Sequence, residues 1–237
     1  MIYGAILAGG VGTRVKSATI PKQFIALDGK PVIAYTIENM LKVSRFDEIY
    51  IAVHGDWLAY MEQLVADYIP EKLQQKVRLT AGGKERLDSI RNVTDAICNE
   101  HPVGEQDVIV IHDAARPFVT EKILNDSIDC ALAHGAVVAA LPASDTIIHS
   151  VNGTEVSEIP NRSIVYHGQA PDSFNLKLFL DMQAALSEEQ KAVITGTSQI
   201  CTLNGVVLHM VEGDSINFKI TTDSDLLIAE NMIKNKK

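Results

Sequence analysis

Arg14 and Lys22 mark the segment that can do chemistry. Both follow the glycine-rich run Ala8-Gly9-Gly10-Val11-Gly12, which itself follows directly on a short apolar stretch, Ile2 to Leu7. The apolar stretch reads as a buried strand. The run after it is too small and too glycine-rich to continue a strand or a helix. Glycine admits positive φ and presents its N–H without a Cβ in the way, so such a loop can close on an anion. A bare-backbone loop with two fixed cations is a phosphate cradle in outline. It is not the dinucleotide fingerprint, because Val15 occupies the place of the third glycine. Nor does a Gly-Lys-Ser/Thr run of the P-loop kind occur anywhere in the chain. An ordinary strand-to-helix turn does not need two cations.

Leu7 to Arg14, read as L-A-G-G-x-G-x-R, and Pro21-Lys22-Gln23-Phe24 resemble the signature of nucleotidyltransferases that join a nucleoside triphosphate to a sugar or polyol phosphate. The P-K-Q form is similar to the cytidylyltransferases acting on methylerythritol 4-phosphate and on ribitol 5-phosphate. The resemblance extends over nearly the whole chain. It implies that Leu7, Ala8, Gly9, Gly10 and Gly12 hold the nucleotide, and that Arg14 and Lys22 are catalytic cations. Ala81 to Ser89 resembles the base-recognition loop, which assigns Gly82, Gly83 and Ser89 to the cytosine and Arg86 to loop support. His112-Asp113-Ala114-Ala115-Arg116-Pro117 matches H-D-A-x-R-P. A buried strand-end Asp suits a hard cation, so Asp113 is the expected Mg²⁺ residue and a nucleotide contact. Arg116 either binds substrate or pairs with Asp113, and His112 reads as a packed strand-end histidine. Asn217 to Thr222 resembles N-x-K-x-T, which adds Lys219 as a third catalytic cation. Thr222 with Asp225 suits a helix N-cap.

The acceptor side rests on Thr146 and on Arg162, which matches an arginine that reaches the acceptor phosphate, across a dimer in some members. The Y-x-G-Q-x-P-x-S-F form from Tyr166 to Phe174 and the step from Arg14 to Lys22 look more like the ribitol branch. Two positions depart from both branches: Ala170 replaces a Thr, and Gly196 replaces an Asp. The implied reaction is attack by D-ribitol 5-phosphate on CTP, giving CDP-ribitol, a teichoic-acid or capsule precursor. The alternative acceptor is 2-C-methyl-D-erythritol 4-phosphate, of isoprenoid synthesis. A nicotinamide-dependent oxidoreductase is the rival from another class, and the missing third glycine and Lys22 oppose it. A nucleotide-binding protein without activity is a further rival, encouraged by Ala170 and Gly196.

The elements that must position these residues follow from periodicity. Strands are expected at Ile2–Leu7, Glu48–Val53, Val77–Thr80, Asp107–His112, Ala136–Leu141 and Val206–Val211. Helices are expected at Pro31–Val43, Asp56–Tyr68, Arg86–Asn99, Glu121–Ala133, Asn175–Leu186 and Asp223–Lys234. Alternating strands and helices imply a parallel sheet with right-handed crossovers. The expected fold is α/β, a Rossmann-like, mostly parallel twisted sheet with helices on both faces. After Pro142 the alternation breaks: Asp145–His149, Asn152-Gly153 and Val156–Ile159 read as a hairpin, with Ser163–Gln169 as a further strand outside the main sheet. One domain, 1–237, is expected, with 143–170 as a β-arm that the resemblance assigns to contact with a second subunit in a homodimer.

Composition bounds the remainder. Apolar residues at 46% and charged residues at 22% are globular values. A net charge of −9 opposes a nucleic-acid partner. Cys98, Cys130 and Cys201 fit neither a disulfide framework nor a zinc pattern, and read as buried thiols of a reducing cytoplasm. No apolar run reaches membrane-spanning length, so a cytoplasmic protein without a membrane partner is expected.

Overall fold

The computed structural model describes residues 1–10 and 20–235. In chain order the elements are β1 (Ile2–Ala8), β2 (Ala26–Leu27), β3 (Lys30–Pro31), α1 (Val32–Lys42), β4 (Glu48–Val53), α2 (Leu58–Tyr68), α3 (Glu71–Gln74), β5 (Val77–Ala81) and α4 (Arg86–Glu100). They continue with β6 (Val108–Asp113), α5 (Glu121–His134), β7 (Ala136–Pro142), β8 (Tyr166–Asn175), α6 (Leu176–Ala184), α7 (Glu188–Val193), α8 (Gln199–Leu203), β9 (His209–Glu212) and α9 (Asp223–Lys234).

Seven strands form one sheet in the order β5-β4-β1-β6-β8-β7-β9. The pairs β1–β4, β1–β6, β4–β5 and β7–β9 are parallel. Every residue of β4 and β6 is buried, as the apolar runs Ile49–Val53 and Val108–Ile111 require of strands covered on both faces. One core packs Ile6, Ile33, Ile37, Ile51 and Ile128. The other face packs Tyr3, Ala5, Tyr50, Ile90, Val93 and Phe179. Neighbours such as Ala5 and Ile6 belong to opposite cores because a strand alternates its side chains. A third cluster, with Leu27, Phe118, Ile220 and Ile233, seats α9. Helix ends follow local chemistry: Thr120 caps α5 by accepting from the Ile123 N–H. Gly135, at φ 87°, ends that helix. Thr222 and Asp225 form the expected cap of α9, here a reciprocal capping box.

Chain order reverses about β1, since β4 and β5 lie on one side and β6 on the other. That switch point opens a crevice outside the carboxyl ends of β1 and β6, the usual ligand position in such sheets. The register sets Asp113 beside Leu7 at that edge.

The segment after Pro142 corrects the expectation. The final strand is not outside the sheet: β8 runs antiparallel between β6 and β7, inside it. Residues 166–170 therefore belong to the main sheet and not to an arm. The expected hairpin strands reduce to one isolated bridge, His149 with Glu158, and a short 3-10 turn at Arg162–Ile164. The register of β7 on β8 shifts from Val138↔Asp172 to Ala139↔Gln169, so Ala170 and Pro171 bulge out of the ladder. The last strand is His209–Glu212, displaced from Val206–Val211, and α7 and α8 fill a stretch that carried no expected element.

Candidate active site

Two hollows adjoin at the carboxyl edge. The first, of about 330 Å³, lies among Leu7 to Gly10, Lys22, Gly83 to Arg86, Ser89 and Asp113. The second, of about 350 Å³, is lined by Arg116, Ala170, Asp172 and Thr195 to Ser198. Arg86, Asp113 and Lys219 line both.

The walls of the first hollow are built by close backbone approach. A Cβ on Gly83 would fall 2.0 Å from Asp88 Cβ, and one on Gly82 3.3 Å from the Val53 carbonyl carbon. These glycines serve proximity, not positive φ. Gln23 ties the loop from inside: its Nε2 donates to the carbonyls of Ala8 at 2.7 Å and Gly10 at 3.0 Å. Ser89 Oγ accepts from the Gly83 N–H at 3.0 Å and donates to the Glu85 carbonyl at 3.2 Å, which fastens the turn into α4. Glu85 and Asp88 close that turn as a capping box.

Asp113 is the charge centre. Its Oδ1 accepts from Arg86 at 2.7 Å, and its Oδ2 lies 3.2 Å from Arg116 Nε and 3.1 Å from Lys219 Nζ. Burial pushes this carboxyl up, but Arg86, Lys219 and Arg116 together draw it well below the usual carboxylate range, so it stays ionised. One negative charge set among three cations leaves net positive charge facing both hollows, as phosphate requires. Lys219 is carried there by a chain of contacts: Arg116 donates to the Asn217 carbonyl at 2.7 Å, and the Ile220 N–H to the Ala115 carbonyl at 2.9 Å. His112 is fully buried, and burial pulls it down to about 4, so it is neutral and adds no cation. Asp172, also buried, is pushed up by burial; Ser198 and Arg86 only partly offset this.

Comparison with known proteins decides the family. The chain matches the 2-C-methyl-D-erythritol 4-phosphate cytidylyltransferase (IspD) family over residues 2–235. The chain belongs to this cytidylyltransferase family. It is 40% identical over 236 residues to the ribitol-5-phosphate cytidylyltransferase of Lactiplantibacillus plantarum, covering 100% of both chains. It is 40% identical over 234 residues to that of Streptococcus pneumoniae serotype 2, covering 99% of each. The solved 4-diphosphocytidyl-2C-methyl-D-erythritol synthase of Anaerococcus prevotii superposes with a TM-score of 0.82 at 25% identity, covering 99% of this chain and 98% of its own. A 2-C-methyl-D-erythritol 4-phosphate cytidylyltransferase of Thermus thermophilus shares the fold, with a TM-score of 0.73 at 22% identity, over 99% of this chain and 100% of its own.

Within this cytidylyltransferase fold, Leu7, Ala8, Gly9, Gly10, Lys22, Gly83, Ser89, Asp113 and Lys219 line the first hollow. Gly82 stands behind them, its N–H donating to the Val53 carbonyl at 2.7 Å. Gly12 and Arg14 lie outside the described residues. Thr146 and Arg162 are exposed and line neither hollow; Arg162 donates to the Ser144 carbonyl at 2.9 Å. Of the residues whose part was open or underrated, Arg116 pairs with Asp113, and Arg86 reaches the charge centre instead of only supporting its loop. Gln23 and Asp172 were missed. Gln23 lies within the P-K-Q motif, and Asp172, set in a mixed polar and apolar stretch, carried no local signal.

Asp113 is an ionised hard-oxygen donor lining the hollow, the type of ligand Mg²⁺ commonly takes together with phosphate oxygens, and its two oxygens also carry Arg86, Arg116 and Lys219. Glu48, Glu100 and His101 gather their ligand atoms within 4.8 Å of one another. They lie at the amino end of β4, away from the hollows, where Glu48 already engages Arg78 at 2.6 Å and Tyr50 at 2.9 Å. No helix among the described residues is long and apolar enough to cross a membrane.

Proposed function

We propose that the protein transfers the cytidylyl group of CTP to D-ribitol 5-phosphate, releasing CDP-ribitol and pyrophosphate in the cytoplasm. The observation that carries this reading is the meeting of two hollows at one cluster, Arg86, Asp113 and Lys219, so that a triphosphate and a second phosphate share one set of charges. Full-length similarity at 40% identity to ribitol-5-phosphate cytidylyltransferases supports the acceptor.

In this reading the cytosine lies against the Gly82–Gly83 turn, and the triphosphate lies along Leu7 to Gly10 and Gly12 with Arg14, Lys22 and Lys219. Ser89 acts by shaping the turn, since its hydroxyl already engages Gly83 and Glu85. An oxygen of the acceptor phosphate forms a bond to the α-phosphorus in line as the bond from that phosphorus to the β-bridging oxygen breaks. A phosphate monoester is largely dianionic at neutral pH, with a second pKa of about 6, so the step needs no general base. The barrier is repulsion between anions and charge growing on the α-phosphoryl oxygens. Preorganised cations stabilise that charge where water would have to reorganise. Asp113 would hold Mg²⁺, which when bound neutralises part of the triphosphate charge. Asp113 also holds Arg86, Arg116 and Lys219 in place, so these mutually repelling cations stay gathered before substrate enters.

Thr146 and Arg162 then serve the acceptor from a second copy, through residues 143–165. Exposed Ile148, Val151, Ile159 and Ile164, the second of them 95% accessible, supply apolar surface for that homodimer. Ile159→Glu is expected to shift the protein from dimer to monomer in analytical ultracentrifugation.

Pyrophosphate release from CTP with a panel of polyol phosphates tests the reading. Ribitol 5-phosphate is expected to give the highest kcat/KM. Preference for 2-C-methyl-D-erythritol 4-phosphate would favour the second reading, to which the fold shared with solved enzymes of that activity also points. Release with no acceptor in the panel would sink both.

A further inference from the structure

Asp172 has no task in the reaction described above, yet the fold goes to some length to put it at the site. It lies beside the β7–β8 bulge, and it lines the second hollow but not the first. It is 6% exposed, like Asp113, but among the described residues its nearest cation, Arg86, stands off at 4.0 Å. Ser198 Oγ donates to its Oδ1 at 2.6 Å, and Thr197 adds a second hydroxyl interaction. Burying a carboxylate on two hydroxyls and one distant guanidinium costs stability, which a packing role does not require.

The chemistry of the hollow narrows the choice. A carboxylate only accepts hydrogen bonds, with about four lone-pair sites over its two oxygens, so capacity remains after Ser198 and Thr197. It repels phosphate and attracts O–H donors. The other polar side chains there are committed: Gln169 donates to the Asp214 carbonyl at 2.9 Å and accepts from the Asp214 N–H, and Thr195 engages Gln199. Ala170 and Gly196, in the same wall, offer no polar side chain. Arg86, Arg116 and Lys219, lining the same hollow as Asp172, suit a ligand with a phosphate at one end and hydroxyls along its chain.

We propose that Asp172 is the specificity-determining residue of the acceptor hollow, accepting a hydrogen bond from a chain hydroxyl of the polyol phosphate, with Ser198 holding it in position. The proposal rests on the reading of the second hollow as the acceptor seat. Asn at this position keeps the shape and the bond from Ser198 but loses the charge and half of the accepting capacity.

The test uses the full-length enzyme, CTP, ribitol 5-phosphate and a series of its mono-deoxy analogues. A site built around a substrate hydroxyl discriminates strongly against the analogue lacking it. In the wild type, one deoxy analogue is therefore expected to lose about 100-fold in kcat/KM. In D172N, KM for ribitol 5-phosphate should rise roughly 30-fold, KM for CTP should stay within about twofold, and the penalty for that same analogue should shrink to about threefold. S198A, which removes only the orienting donor, should move the same quantities in the same direction by about threefold, and it serves if D172N folds poorly. Unchanged discrimination in D172N and S198A, or a matching loss for every analogue, would overturn the assignment while leaving the transferase reading intact. A wild type inactive on every polyol phosphate would overturn both.

Discussion

Asp113 and Asp172 are equally buried, stand at the same edge of one sheet, and have their pKa values moved in opposite directions. Burial raises both. Around Asp113 three cations at 2.7 to 3.2 Å reverse that effect; around Asp172 two hydroxyls and one guanidinium at 4.0 Å do not. A buried carboxylate is therefore defined by what surrounds it. The first is a structural anion that organises cations for phosphate, shared by both hollows. The second is an acceptor of hydrogen bonds, confined to one.

The largest effect should come from Asp113→Asn. Losing the anion that positions three cations is expected to lower turnover about 1000-fold, equally for every acceptor, in a pyrophosphate-release assay. An acceptor-dependent loss would erase the contrast with Asp172. Lys22 lines only the first hollow, so Lys22→Ala should cost about 100-fold in turnover and leave discrimination among acceptors unchanged. Arg116 lines only the second hollow and forks between Asp113 and the Asn217 carbonyl. Lys has a single ammonium where the fork needs two directed donors, so Arg116→Lys should raise acceptor KM roughly tenfold with CTP binding preserved by calorimetry.

The smallest effect concerns stability. Asp172 has a raised folded pKa, so between its unfolded and folded values the native state binds the extra proton and stability falls as pH rises. Asp172→Asn removes that slope. The Tm of the variant relative to wild type should therefore increase from pH 4 to pH 8 in thermal melts. Asp113 has a depressed folded pKa; its stabilisation is full above the unfolded carboxylate value and is lost only as pH falls through the folded one. Asp113→Asn should accordingly lower Tm at pH 7, where Asp172→Asn does not.

Much of this arrangement was legible in the chain. Ile2 to Leu7 followed by glycines marked β1 and its loop, and the apolar run before His112-Asp113 marked β6, because a doubly covered parallel strand is a continuous apolar run. The register then brings those two ends together. The stretch after Pro142 was not legible in the same way. Val165 to Phe174 mixes polar, small and apolar residues, and nothing local says that its partners are β6 and β7 at once. Its proximal end is exposed and its distal end buried, so no single period describes it. Gln23 was overlooked because an amide next to Lys22 looks like part of a cation motif, and only the turn shows it tying Ala8 and Gly10.

By itself the amino-acid order determined the strand and helix periods, the glycines that must let backbone approach backbone, and the cations needed for a polyanionic substrate. These are properties of residue type and short spacing. Tertiary structure alone decided which charges meet: Arg86 on Asp113, Lys219 returned from the far end of the chain, and Asp172 set by a bulge into the second hollow. The reason is that ion pairing and pKa depend on distances of a few ångströms in a low-dielectric interior. Those distances are set by packing between segments far apart in the chain.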